Sequence, residues 1–149
     1  MTAEAKLKVL AGADATLQSF FGSNPFRWFH LQLPPGYVMR PSGATCATVQ
    51  QLGTGFLHAQ EARADLNRPR FQIVVRDPNA DVVDRAAAAI INWLGTVCFT
   101  SDADFTSPPT TPRQFPNFVN DLRPGLDYQL KPPIPTQLID FTIWNRGLI

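Results

Sequence analysis

Few side chains in this sequence stand at spacings that would support chemistry. The two histidines, His30 and His58, have no cysteine or carboxylate at the spacing of a metal site. Asp102 and Asp104 form a D-x-D pair, but the glycine and the distant glutamate of a calcium-binding loop do not follow them. We therefore interpret the histidines as ordinary strand or loop residues and the aspartates as part of a turn, and we expect no metal site.

The remaining candidates for a nucleophile or a phosphate-binding loop also lack the neighbouring residues that such sites require. Residues 53–55 read Gly-Thr-Gly, but the lysine and hydroxyl residue of a phosphate-binding loop are missing. The sequence contains neither G-x-S-x-G nor H-E-x-x-H. Cys46 and Cys98 are too few for a disulfide framework, and Cys98 stands in an apolar run where a thiol is normally inert. The sequence predicts a protein with no enzymatic activity and no cofactor.

A group of arginines interleaved with carboxylates occupies the middle of the chain. The group comprises Arg63, Arg68, Arg70 and Arg76 together with Glu61, Asp65 and Asp77. Arginines contact phosphate in nucleic-acid-binding proteins, but the interspersed carboxylates favour a solvated or subunit-pairing surface. The net charge of +1 provides no broad basic field. We interpret Trp28, Trp93 and Trp144 as core or interface anchors rather than as base-stacking platforms.

The bulk composition predicts one globular domain spanning residues 1–149. A chain of 149 residues with 44% hydrophobic residues is long enough to bury a core without disulfides. The first residues lack the continuous apolar run of a signal peptide. No run approaches the roughly 20 apolar residues of a membrane span, so we expect a protein without a membrane segment.

Residues 69–94 give the clearest structural signal in the chain. Phe71, Ile73 and Val75 alternate with their neighbours, which is typical of a half-buried strand, and residues 77–79 (Asp-Pro-Asn) predict a turn after it. A helix is then predicted from Ala80, with Gly95 as the residue just past its end. Its buried face is predicted to consist of Val83, Ala86, Ala87, Ile90, Trp93 and Leu94.

The flanking segments supply the other elements. A helix is predicted over residues 3–21 before Gly22, with Leu7, Leu10, Ala11, Leu17 and Phe20 or Phe21 on its apolar face. Strands are predicted over residues 26–33, 44–52, 56–60, 96–100 and 137–144, and an exposed loop over residues 61–68. The closing strand should bury Ile139, Phe141 and Ile143. The predicted fold is α+β, with two helices packed on a mixed, mostly antiparallel sheet.

A long proline-rich arm is predicted over residues 101–135. Eight of the fourteen prolines lie between Pro108 and Pro135, and proline at this density disfavours interior strands and regular helices. The interleaved aromatics argue against a disordered linker, so we expect the arm to dock on its own domain or on a neighbouring subunit. The residues predicted to contact a subunit or partner are Phe105, Pro108, Pro109, Arg113, Phe115 and Phe118.

The strand and the alanine-rich helix together resemble a segment of the tail terminator proteins of long-tailed bacteriophages, also described as tail completion or minor capsid proteins. Their sequences tend to show a strand of the pattern P-x-hydrophobic-Q-hydrophobic-x-hydrophobic-R that enters a helix. The matching positions here are Pro69, Phe71, Gln72, Ile73, Val75, Arg76 and Ala80–Leu94. Leu138–Asn145 also resembles the closing strand of that family. The arm is longer than expected for the family.

The resemblance implies a structural virion protein. Members of the family are small subunits that close into a ring, typically a hexamer, on the last disc of the tail tube. The ring stops tube polymerisation and joins the tail to the head–neck connector, while DNA passes through its lumen without sequence-specific binding. The implied partners are further copies of the chain, the tail tube protein and the neck connector protein. Assembly would occur in the bacterial host cytoplasm, and the implied location is the tail–neck junction of the virion.

Other functions stay open at this point. Arg63, Arg68 and Arg113 are candidates for the ring lumen or for ion pairs between subunits, and the sequence does not separate these two roles. The chain is also compatible with another neck or head–tail connector subunit. A third function, of a different class, is a small cytosolic binding module whose proline–aromatic arm covers a hydrophobic ligand or peptide site.

Overall fold

A computed structural model of the chain describes residues 3–35, 37, 45–53, 56–58, 63–67, 70–96, 118–130, 132–143 and 145–146. The helices are α1 (Ala3–Gly12), α2 (Ala15–Phe21) and α3 (Ala80–Thr96). The strands are β1 (Trp28–His30), β2 (Cys46–Gly53), β3 (Phe56–His58), β4 (Arg63–Asn67), β5 (Arg70–Arg76), β6 (Phe118–Asp127), β7 (Ile134–Thr142) and β8 (Asn145–Arg146). Across these ranges, no helix is both long and apolar enough to span a membrane.

A five-stranded sheet of order β1-β2-β5-β7-β6 forms the centre of the molecule. β1 and β2 are parallel, and every other neighbouring pair in this sheet is antiparallel. A second sheet has three strands in the order β3-β4-β8. The predicted α+β fold with a mixed, mostly antiparallel sheet is therefore confirmed. The described residues hold three helices, whereas the sequence predicted two.

The additional helix arises because the segment predicted as one helix is broken at Asp14. This residue is extended, with φ −85° and ψ 123°, and its carboxylate accepts a hydrogen bond of 3.0 Å from the Leu17 N–H at the start of α2. Aspartate is strongly preferred at such a cap, and Gly12 has low helix propensity. The second helix ends at Gly22, whose φ of +82° suits glycine.

Hydrogen bonds to the side chains of Asp77 and Asn79 stabilise the turn before α3. The Asp77 carboxylate is buried and accepts hydrogen bonds from the Asn79 N–H at 2.8 Å and the Thr45 hydroxyl at 2.6 Å. The Asn79 side chain in turn accepts a 3.0 Å hydrogen bond from the Asp81 N–H. The predicted turn and helix are confirmed, but Gly95 lies inside α3, so the prediction that it follows the helix end was wrong.

All three helices contribute to a core on one face of the five-stranded sheet. The predicted helical faces are buried there: Leu7, Leu10, Ala11, Leu17 and Phe21, followed by Val83, Ala86, Ala87, Ile90, Trp93 and Leu94. The strands contribute the predicted alternating residues Phe71, Ile73, Val75, Ile139, Phe141 and Ile143. Trp28 meets Trp93 edge to face with ring centroids 6.2 Å apart, so these two indoles are core anchors.

Other predicted elements differ from the structure. The segment predicted as an exposed loop over residues 61–68 contains β4, and the strand predicted over residues 26–33 is limited to β1. The strand predicted over residues 96–100 begins with the last residue of α3, and its remainder lies outside the described residues. Of the predicted arm, residues 101–117 also lie outside them. Its later part forms β6 and the beginning of β7.

Truncating Ile90 tests whether α3 is held by the sheet. Ile90 is fully buried, and α3 contacts β5 and β7. We expect Ile90→Ala to lower the free energy of unfolding by about 2–5 kcal/mol, because it leaves a cavity in a packed core. The exposed Arg85 lies on the same helix, and Arg85→Ala should change stability by no more than about 0.5 kcal/mol. Equal losses of unfolding free energy for the two variants, measured by urea unfolding, would contradict this packing.

Candidate assembly surface

The outermost strand of the sheet, β6, carries a row of exposed apolar side chains. Val119, Leu122 and Leu126 are 39%, 44% and 49% exposed, and we call these three residues the outer row. Their partners on β7 include Phe141 for Val119 and Ile139 for Leu122. Since paired residues share a face of a sheet, the outer row lies on the face that the helices cover.

The outer row is exposed because the main contacts of α3 with the sheet are to β5 and β7, and β6 is the next strand outward. Ile139 and Phe141 on β7 are therefore fully buried, while the next strand outward is not. Tyr128, just after β6, is 73% exposed. A long edge strand with apolar side chains is a template for pairing with another chain. The only described strand that pairs with β6 is β7.

A β-bulge at Asn120 shapes the start of β6. The register shifts between Val119 and Asp121, and the Asn120 side chain donates hydrogen bonds to Thr142 Oγ1 at 2.8 Å and Asp140 Oδ1 at 3.3 Å. These bonds lie on the sheet face opposite the helices. The bulge thereby fixes which residues after it point toward the helical side.

Arg76 ties the outer strand to the rest of the sheet. Its Nε donates to Asp127 Oδ2 on β6 at 2.9 Å, and its Nη1 donates to Thr48 Oγ1 on β2 at 2.8 Å. The Arg76 and Asp127 side chains are only 15% and 16% exposed. This single guanidinium, which extends from β5, therefore connects strands on both sides of it.

A second ion pair secures β5 to β7. The Asp140 carboxylate is buried and accepts two hydrogen bonds from the Arg70 guanidinium, one of them from Nε at 2.8 Å. The hydrogen bond from Arg70 lowers the pKa of Asp140 although burial acts in the opposite direction, and Asn120 adds to the lowering. Two of the four arginines in the predicted cluster, Arg70 and Arg76, thus bind carboxylates of their own chain.

The opposite margin of the sheet carries a pocket beside β1 and α1. It has a volume of about 320 Å³ and is lined by Glu4, Ala5, Lys8, Trp28, Phe29, His30 and Val49. His30 Nδ1 lies 3.8 Å from Glu4 Oε1, which also accepts a 3.1 Å hydrogen bond from the Gln51 N–H. Leu31, the residue after β1, is 54% exposed. This margin is mostly apolar, with charged groups at its rim.

Most residues predicted for an interface or a lumen lie outside the described part of the chain. These are Phe105, Pro108, Pro109, Arg113, Phe115 and Arg68. Phe118 is the first residue of β6, opposite Thr142, and Arg63 is the first residue of β4, opposite His58. Their assigned roles stay predictions. Sequence reasoning missed the outer row, although Leu122, Pro124 and Leu126 alternate with polar or small residues after the bulge.

The described residues include one free cysteine, Cys46, and it is buried. Within them, no group of three or more His, Cys, Asp or Glu side chains could hold a metal ion. Burial raises the pKa of the Cys46 thiol to about 11. The reactive thiolate of Cys46 is therefore scarce at neutral pH.

Comparison with known proteins adds no homologue to this picture. A scan against protein-family models and a search of curated proteins both gave no match to the chain.

The link between Arg76 and Asp127 should contribute measurably to stability. We expect Arg76→Met and Asp127→Asn each to lower the free energy of unfolding by about 1.5–3 kcal/mol, and the double variant to cost less than their sum. The matched control is the pair Arg123–Asp121 on β6, whose side chains are 71% and 39% exposed. Its coupling energy should stay below about 1 kcal/mol. Equal coupling in the two urea-based double-mutant cycles would contradict the role given to Arg76.

The lowered pKa of Asp140 predicts a loss of stability in acid. The unfolded chain binds the proton first as the pH falls, because the carboxylate has its ordinary pKa of about 3.9 there. The contribution of Arg70 to stability is thus present at neutral pH and disappears as the pH falls below about 5 toward the folded-state pKa. Asp140→Asn should show a shallower fall between about pH 7 and pH 3. Parallel stability curves for the two proteins in that interval would exclude this linkage.

Proposed function

We propose that this chain is a structural virion protein that forms a ring at the end of a bacteriophage tail tube and joins the tail to the head–neck connector. The proposal rests on the resemblance of the β5–α3 segment to tail terminator proteins and on one structural observation. That observation is the exposed outer row on β6, the last strand of the five-stranded sheet among the described residues.

The outer row favours self-assembly over a solitary binding module. Val119, Leu122 and Leu126 lie 39–49% exposed along one strand, and β6 is among the longest strands in the described residues. Edge strands are commonly protected by charged side chains, prolines or β-bulges, and β6 carries Pro124, the bulge at Asn120 and the Arg123–Asp121 pair. Arg123 and Asp121 bind each other on the opposite face of the strand, so this charged pair does not cover the outer row.

The charge of the molecule is compatible with close stacking of subunits. A net charge of +1 produces little repulsion between copies. The Arg70 and Arg76 guanidinium groups each bind a carboxylate, Asp140 and Asp127, which offsets their positive charge. Passage of DNA through the proposed ring would then require no sequence-specific contact from this part of the chain. The tail tube protein and the neck connector are the proposed partners, and a hexamer is the stoichiometry that the resemblance implies.

Replacing Leu122 tests whether the outer row supports assembly. We expect the native chain to form rings in negative-stain images and a ring-sized mass in light scattering. Leu122→Asp should give a folded monomer, because a carboxylate cannot be buried unpaired in an apolar contact. Leu52 is 43% exposed at the end of β2 and provides a matched control, Leu52→Asp, which should still assemble. Assembly by Leu122→Asp as efficient as that of the native chain would exclude the outer row as the interface.

Adding the chain to polymerising tail tube protein from the same virus tests the tail role. A terminator caps the growing end, so the mean tube length in electron micrographs should fall as the native chain is added. Leu122→Asp should leave the tube length unchanged. Rings of the native chain that leave the tubes growing would contradict the terminator function and favour another neck subunit.

A further inference from the structure

We infer that copies of this chain join head to tail, with the outer row of one subunit packed against the pocket beside β1 and α1 of the next. This inference rests on the proposed ring assembly, and it names the two surfaces that meet. Both surfaces are margins of the same sheet, since β1 and β6 are its first and last strands.

The strand directions allow the two margins to continue one sheet. β1 is parallel to β2, and the three successive pairs from β2 through β5 and β7 to β6 are antiparallel. β1 and β6 therefore run in opposite directions. Consider copies that are related by rotation about a ring axis, with their sheets joined edge to edge around the ring. In that arrangement β6 of one copy lies beside β1 of the next, and the two strands are antiparallel.

The two surfaces also lie on the same side of the sheet. The outer row shares the face of Phe141 and Ile139, which is the face that the helices cover. At the other margin, that same side carries α1, whose Glu4, Ala5 and Lys8 line the pocket. If the sheets of two copies were continuous, the outer row of one copy would thus face the pocket of the next. It would not face the polar side of that copy's sheet, which is turned away from the helices.

The pocket suits aliphatic side chains from a neighbouring strand. Its volume of about 320 Å³ exceeds that needed by one leucine side chain, and Trp28, Phe29 and Val49 give it apolar walls. Lys8 and His30 lie at its rim, where they can stay hydrated. Leu122, in the middle of the outer row, is the side chain best placed to enter it.

Side-chain burial rather than main-chain pairing should dominate this contact. The Leu31 N–H bonds to Val49 O on β2, so the alternate residues Trp28 and His30 present their main-chain groups outward. Two of those groups are already used, because the Trp28 N–H donates to Phe26 O at 2.8 Å and His30 O accepts from the Gln32 N–H at 2.7 Å. β1 therefore offers few main-chain partners to β6.

The competing arrangement is a symmetric dimer in which β6 pairs with β6 of a second copy. That contact is isologous and closes after two subunits. It would bury two outer rows against each other and leave the pocket beside α1 empty. The two arrangements differ in which residues approach between subunits, which makes them separable by crosslinking.

Cysteine crosslinking between subunits tests the head-to-tail contact. In a background of Cys46→Ala and Cys98→Ala, one protein carries Leu122→Cys and a second carries Lys8→Cys, and the two are mixed with a short bismaleimide crosslinker. We expect a covalent pair in the mixture at a yield at least about tenfold above that of either protein alone, because docking raises the effective concentration of the thiols. A chain carrying both cysteines should give a ladder of covalent oligomers.

The matched control replaces Lys8→Cys by Arg85→Cys, an exposed position on α3, the helix that packs on the inner strands β5 and β7. A Leu122–Lys8 yield no higher than this control would overturn the inference, and so would efficient crosslinking of Leu122→Cys with itself. The tube-capping assay separates these outcomes from failure of the proposed function. Capping without the Leu122–Lys8 crosslink would reject the contact alone, and the crosslink without capping would reject the terminator role alone.

Discussion

Among the described residues, the helical layer is narrower than the sheet that it covers. α1 contacts β2, and α3 contacts β5 and β7, so burial is complete in the middle of the sheet and incomplete at β6. Ile139 is fully buried, whereas its partner Leu122 on the next strand is 44% exposed. Hydrophobic burial therefore holds the centre of the sheet together and leaves apolar side chains partly exposed at β6.

On the face of the sheet opposite the helices, ion pairs and hydrogen bonds connect the strands. Arg76 and Arg70 each extend from β5 to a carboxylate on β6 or β7, and Arg76 also reaches Thr48 on β2. These bonds keep β6 in register with strands that are anchored in the core. The outer row thus lies on a fixed strand, which would lower the entropy cost of the proposed assembly.

The sequence predicted those helices and strands whose apolar residues recur at a regular local spacing. Strand β5 alternates over its whole length, and α3 carries its apolar residues at helical spacing, so both were found with their buried faces. The break at Asp14 depends on a single capping hydrogen bond, which a periodicity argument does not detect. β6 was missed because the bulge at Asn120 interrupts the alternation and because Pro124 argues against an interior strand, although it is tolerated at an edge.

The proposed assembly surface could not be predicted from the sequence, because the exposure of β6 depends on where the helices lie on the sheet. Nothing in Val119, Leu122 or Leu126 distinguishes them from core residues until the position of the helices is known. The ion pairs of Arg70 and Arg76 could not be predicted from the sequence either. Their partners, Asp140 and Asp127, are distant in the chain and are brought to them only by the fold.

Hydrogen exchange of β6 at increasing protein concentration tests the assembly surface most directly. Amides of α3 are protected within one subunit, so their exchange should not depend on concentration. We expect protection of β6 and of the β1 margin to rise together as subunits assemble. Assembly detected by light scattering without any change in β6 exchange would contradict the proposed interface.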